Sequence, residues 1–219
     1  MNMEAGSQNT LLLREWSPFE FDRAALLEAK RKGGPMMMSG ILQKADVLNQ
    51  NGRIYPRDIL EREVENYQRF IKENRALGEL DHPAHAVVEL QNVSHVIRSA
   101  MIDRNGVVTG TIEVLDTPKG RILASLAEAG ITIGISSRGV GSTKNEGGRA
   151  IVQDDFQLIC WDIVSEPSTP NAFIMREMRE GRRLTSSELS SLRESRFTRV
   201  DRINKVISDI RRWKREVIV

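Results

Sequence analysis

The chain has 219 residues, 40% hydrophobic and 28% charged, with a formal net charge of +2 and one cysteine, Cys160. That length suffices for one full core, and the lone cysteine excludes an internal disulfide framework. No apolar run approaches the roughly 20 residues of a membrane span, and the polar, acidic start MNMEAGSQNTLLLREW is not a secretory signal.

In chain order, residues 1–33 read as an N-terminal extension ending in the linker AKRKGGP. Residues 34–180 read as the core domain. SGILQKADVL opens it as a strand, and NQNGRIYP is a turn, from its Asn-Gly step and its proline. A helix follows over 57–75, where Leu60, Val64, Tyr67 and Ile71 fall on one face. VVELQNVSHVIRSAMID and GVVTGTIEVL are strands joined by a turn at DRNG. TPKGRILASLAEAG is a helix capped by Thr117, with Pro118 at its first position and Gly130 as its stop. ITIGISSRGVGS is a strand entering a glycine loop. RAIVQDDFQLICWDIVSEPSTPNA is one long strand ending in a proline-rich turn. The order is neither regular βαβ nor a helical bundle. It predicts an α+β fold with a mostly antiparallel sheet or barrel flanked by helices.

Residues 181–219 read as a basic helical tail, with 11 Lys/Arg against 5 Asp/Glu, so the remainder of the chain is mildly acidic. Thr185 or Ser186 can cap a helix there. Val200, Ile203, Ile207, Ile210, Trp213 and Val217 make an amphipathic stripe opposite Lys and Arg. Such a helix packs on its own core or docks on an acidic scaffold or neighbouring subunit. Nucleic acid is a lesser candidate, because base-reading and aromatic residues are few.

Three segments carry possible chemistry. LGELDHPAH holds His82 ahead of Pro83, which biases its backbone to an extended form. His82 is either a surface-turn residue or a general base near neutral pH. His85 lies close by, but too few ligand types cluster there for a metal site. His95, on a strand face with Val93 and Ile97, is a hydrogen-bonded core residue or an alternative partner for His82. In GISSRGVGS, Ser136 and Ser137 meet Arg138, Gly139 and Gly141. This is either a Ser/Gly hairpin loop or a nucleophile beside a backbone nest that binds an oxyanion. In DFQLICWDIV, Asp162 puts a carboxylate on an apolar stripe, where it needs a partner.

NGRIYPRDIL, GELDHP, GISSRGVGS and WDIVSEPSTPNA together resemble the prohead (capsid maturation) serine proteases of tailed myoviruses, which are related in fold to herpesvirus assemblin proteases. The resemblance implies a small β-barrel surrounded by helices. It implies an endopeptidase inside the immature prohead, in the host cytoplasm, cutting internal scaffold and major capsid proteins and itself. It puts the catalytic histidine on His82 and the nucleophile on Ser136, with Ser137 as competitor. The third member is Asp162, or His95 in the herpesvirus manner. Backbone N–H groups around Arg138 and Gly139 would meet the oxyanion, the Arg138 charge assisting. No metal or cofactor is implied, and a homo-oligomer is expected. Leu13–Glu15 and Leu192–Glu194, both LRE, are candidate self-processing sites. The competing readings are a non-enzymatic scaffold or core-binding component, and an unrelated esterase or amidase. The latter lacks its nucleophile elbow here.

Overall fold

The computed structural model describes residues 10–81, 86–165, 182–185 and 187–188. The chain divides into two units, Met1–Leu184 and Thr185–Val219. In chain order the first unit contains β1 (Leu11–Pro18), α1 (Arg23–Arg31), β2 (Met37–Lys44), β3 (Arg53–Ile54), α2 (Arg57–Lys72), β4 (Leu77–Glu79) and a 3-10 turn (Leu90–Asn92). It continues with β5 (Val93–Ile102), β6 (Val107–Val114), α3 (Pro118–Ala129), β7 (Gly134–Gly141), β8 (Thr143–Glu146), β9 (Arg149–Val152), β10 (Gln157–Val164) and β11 (Arg182–Arg183).

Local chemistry sets the helix ends. Thr117 accepts from the Gly120 N–H at 2.9 Å, Pro118 opens α3, and Gly130 closes it at φ 74°. Asp22 caps α1 by accepting from Ala25 N. Buried Ile59, Leu60, Val64 and Tyr67 give α2 the face that turns inward. The Asn-Gly turn also holds: Gly52 sits at φ 74° and its N–H donates to Asn49 O at 3.0 Å.

The strands form three sheets, ordered β10-β7-β1-β11, β2-β6-β5-β4 and β3-β9-β8. All ladders are antiparallel except β3–β9. One core joins them. Leu13, Ile135, Leu158, Trp161 and Ile163 of the first sheet cluster with Met38, Leu42, Ile97, Val108 and Ile112 of the second and with Leu60, Val64 and Tyr67 of α2. The Tyr67 and Trp161 rings meet edge-on, with centroids 4.9 Å apart. Each fully buried aliphatic side chain of this set contributes about 1.5–3 kcal/mol.

The α+β class and the antiparallel bias hold, but the expected barrel does not close among the described residues. Three-residue β4 is too short to carry a ladder onward. Its continuation touches the first sheet through a single parallel bridge, Leu80 to Ile163. Residues 11–31, read from the sequence as part of an N-terminal extension, carry β1 and α1. β1 lies inside its sheet, paired along its length with β7, and Leu12 and Leu13 are buried. The polar residues around LLLREW hid a strand whose apolar run, Leu11 to Leu13, is matched by partners 126 to 130 residues away, Gly141 to Gly139. The long strand from Arg149 breaks in two, because the Phe156 N–H turns back to Gln153 O. In the second unit, Thr185 caps in box form. Its hydroxyl accepts from Glu188 N at 3.3 Å, and its own N–H donates to the Glu188 carboxylate at 2.8 Å. The amphipathic stripe from Val200 lies outside the described residues.

Candidate active site

β7 is the strand on which the serines sit, and the glycine loop expected after them is absent. Gly134–Gly141 is strand throughout, buried at every position and paired with β1 on one side and β10 on the other. The glycines serve close packing instead. A Cβ at Gly139 would fall 2.4 Å from the Phe156 ring, and one at Gly134 would fall 1.9 Å from Trp16 Nε1.

Alternation along β7 separates the two serines. Ser136 stands directly between Trp16 of β1 and Asp162 of β10. Ser137 stands between Glu15 and Trp161. Directly opposed residues share a sheet face, and Trp161 belongs to the core cluster, so Ser137 is the core-facing serine. Its Oγ is buried with no hydrogen-bond partner among the described residues. Ser136 shares the opposite face with Asp162 and Arg138, and it too is fully buried.

Asp162 has the partner that its apolar setting demanded. Arg138 Nε donates to its Oδ2 at 2.9 Å, and the Glu79 backbone N–H donates to its Oδ1 at 3.0 Å. The same guanidinium pairs with the Glu79 carboxylate. It also reaches Cys160 Sγ at 3.1 Å, while the Cys160 thiol donates to Asp162 at 3.2 Å. Burial opposes the charge on Arg138. The Asp162 and Glu79 carboxylates, together with the hydrogen bond to Cys160, more than offset it, holding Arg138 above its ordinary pKa. Burial pushes the Cys160 thiol well up, against the pull of Arg138, so it stays protonated and can donate. With two carboxylates around one guanidinium, the cluster's formal charge is −1. Because the Arg138 side chain is committed to this cluster, it is taken away from the oxyanion role expected of its charge.

β10 carries a bulge in this pairing. Leu158 faces Gly139, Cys160 faces Arg138, and Ile159 is the extra residue between them. The Leu158 N–H there donates to the buried Glu63 carboxylate of α2 at 2.7 Å. The bulge therefore lies opposite Arg138 and Gly139, the two residues assigned to the oxyanion.

His95 is brought near Asp162 but is occupied. Its Nε2 donates to Trp161 O at 3.0 Å, which leaves Nδ1 to accept from Ser94 Oγ at 2.8 Å. Burial lowers its pKa to about 4 despite the opposing pull of Asp162 and the Trp161 carbonyl. Gly78 makes room for this contact, since a Cβ there would lie 2.1 Å from Nε2.

His82 and His85 lie outside the described residues. The residue before His82 does not. Asp81 adopts φ 66°, a left-handed conformation uncommon for a side-chain-bearing residue. Its N–H donates to Ile163 O at 2.8 Å, next to Asp162 in β10. Among the described residues no group of three or more His, Cys, Asp or Glu could hold a metal, and no helix is long and apolar enough to cross a membrane.

Sequence reasoning did not find Glu79 as a partner of Arg138, nor Glu63 behind the bulge. The available signal was Arg138 itself. An arginine inside a strand of serines and glycines must be buried with an acid or must face water, and GELD supplies the acid.

Comparison with known proteins places this arrangement in context. The sequence profile of the family described as prohead core protein serine protease matches residues 20–183. The prohead core protein protease of Enterobacteria phage T4 is 37% identical over 144 residues, which is 64% of this chain and 68% of that one. The solved structure of the bacteriophage T4 capsid assembly protease is 31% identical, with a TM-score of 0.63. That match covers 72% of this chain and 99% of the other.

Proposed function

The chain belongs to the prohead core protein serine protease family, a group of phage capsid-maturation proteases, and from that premise we propose that it is a serine endopeptidase with Ser136 as nucleophile, His82 as general base and Asp162 as the acid that orients it. The observation that carries the assignment is the ladder register. Ser136 is set directly opposite Asp162, and the chain leading into His82 is pinned by Asp81 to the neighbouring Ile163.

In this reading His82 takes the Ser136 proton as the hydroxyl attacks the scissile carbonyl, then returns it to the leaving amine. The charge of −1 on the Asp162–Arg138–Glu79 cluster favours the imidazolium that forms in between. The ladder is broken at the bulge opposite Arg138 and Gly139, and a backbone N–H released there would meet the oxyanion; losing one such donor costs about 10²–10³ in rate. The substrates are scaffold and major capsid proteins within the immature prohead. Self-processing after Glu194 fits the same chemistry, and a homo-oligomer and an acid-binding tail remain part of the proposal.

A fluorophosphonate probe tests it. The wild-type chain should be labelled at Ser136, and Ser136→Ala should not be labelled. Labelling that survives Ser136→Ala moves the nucleophile elsewhere. Absence of labelling and of peptide cleavage in protein assembled with its capsid partners removes the enzyme.

A further inference from the structure

A groove of about 750 Å³ runs beside β2, and nothing in the catalytic cluster accounts for it. Its walls include Gln43 of β2, Leu48 of the following loop, and Glu15 and Trp16 of β1. β2 is an edge of its sheet, and a bulge interrupts its ladder between Ile41 and Gln43. Gln43 is only 7% exposed, yet neither its amide nitrogen nor its amide oxygen has a hydrogen-bond partner among the described residues. A buried polar group left unmet is costly, and here two lie on one side chain at the groove wall. The rim is apolar and open, with Ile41, Val47 and Leu48 respectively 40%, 46% and 53% exposed.

We propose that this groove binds an extended peptide segment of the substrate, with Gln43 as the residue that reads its backbone. One peptide unit offers a carbonyl and an N–H, which match the donor and acceptor that Gln43 leaves unspent. The outer edge of β2, which no strand pairs among the described residues, can accept such a segment as an added strand, and the apolar rim suits an aliphatic side chain on it. Trp16 in the groove wall is the ladder partner of Ser136, so a peptide seated there lies one strand from the proposed nucleophile. The inference rests on the protease reading for its substrate, but not for its binding measurement.

The probe is a fluorescein-labelled peptide of residues 189–199, which contains Leu192–Glu194. Its binding is measured by anisotropy on the full chain carrying Ser136→Ala, and its cleavage on the otherwise wild-type chain. Gln43→Met keeps the side chain's length and deletes both polar atoms. It should weaken binding and raise KM about tenfold, leave kcat within threefold, and leave Tm unchanged or higher. Leu48→Asp, at an exposed position, should raise KM similarly without lowering Tm. Should Gln43→Met fail to fold, Leu48→Asp alone decides. Unchanged binding and KM in these variants overturns the proposal, as does a peptide that never binds or a groove that sedimentation shows to be covered by a second copy. Binding that depends on Gln43 without any cleavage supports the groove and counts against the protease reading alone.

Discussion

Asp162 stands directly across the ladder from Ser136, and Arg138 holds its carboxylate at 2.9 Å in a fully buried pair. The strand that presents the serine thus also supplies the cation that pairs with the acid. Removing that cation should be severe. Arg138→Met leaves the Asp162 and Glu79 carboxylates buried together, and breaking a buried pair in this way costs about 3–5 kcal/mol. Urea unfolding should show that loss. A variant as stable as wild type would mean that the cluster contributes nothing as an ion pair.

The two serines make opposite predictions. Ser136→Ala should abolish turnover with little change in Tm. Ser137 Oγ is buried with no partner among the described residues, so Ser137→Ala strands no other group. Its stability should be unchanged or higher by up to about 1 kcal/mol, with cleavage retained. Side-by-side thermal melts and peptide cleavage check both. Lost activity in Ser137→Ala alone would reverse the assignment.

How far could these roles be read from the chain? The helices over 57–72 and 118–129 were legible because periodicity and caps are local signals. The face of Asp162 was legible only in part: alternation groups it with Cys160, but the bulge at Ile159 turns Leu158 to the other face, so the stripe that runs unbroken in the sequence is interrupted there. β1 was not: its membership in the sheet depends on pairing with β7, which no neighbouring residue announces. The serine strand misled for a related reason. Glycines that look like a loop are there because Phe156 and Trp16 lie against them. Glu63, far from the serines in sequence, was invisible because its role is to hold a bulge in a strand 95 residues on.

If Asp162 holds the proposed third catalytic role, Asp162→Asn should cut turnover by orders of magnitude, since the carboxylate charge and the histidine tautomer are both at stake. His95→Ala should act on stability instead, because both of its ring nitrogens are already engaged by Ser94 and Trp161. Steady-state kinetics on the two variants decides. A larger loss of kcat in His95→Ala, with its fold intact, would transfer the role to His95.

His95 also predicts how stability depends on pH. Its folded pKa of about 4 lies below the ordinary 6.5 because burial disfavours the charged ring. Between those values the unfolded chain binds a proton that the folded chain refuses. The contribution is therefore complete above pH 6.5, falls as pH falls, and levels off below 4. At about 1.4 kcal/mol per pH unit, some 2 kcal/mol should be lost between pH 6.5 and 5. His95→Gln should flatten that part of the curve in urea titrations. An unchanged slope would mean that another group titrates there.

The two LRE tripeptides now separate. Leu13 and Glu15 lie within β1, and the Glu15 carboxylate accepts from Arg53 at 2.7 Å, Tyr55 at 2.8 Å, and both Asn49 and Asn51. A protease binds its substrate extended and accessible, so cutting after Glu15 would require this strand to leave the centre of its sheet. Mass spectrometry of incubated, active protein should find the Glu15–Trp16 bond intact and, where self-processing occurs, a new end after Glu194. Glu15→Ala should act as a stability variant, losing about 3–5 kcal/mol by removing the carboxylate that pairs with the Arg53 guanidinium, which is 1% exposed. A product beginning at Trp16 from a folded, active enzyme would show that β1 is dispensable, and it would restore the N-terminal segment as a removable extension.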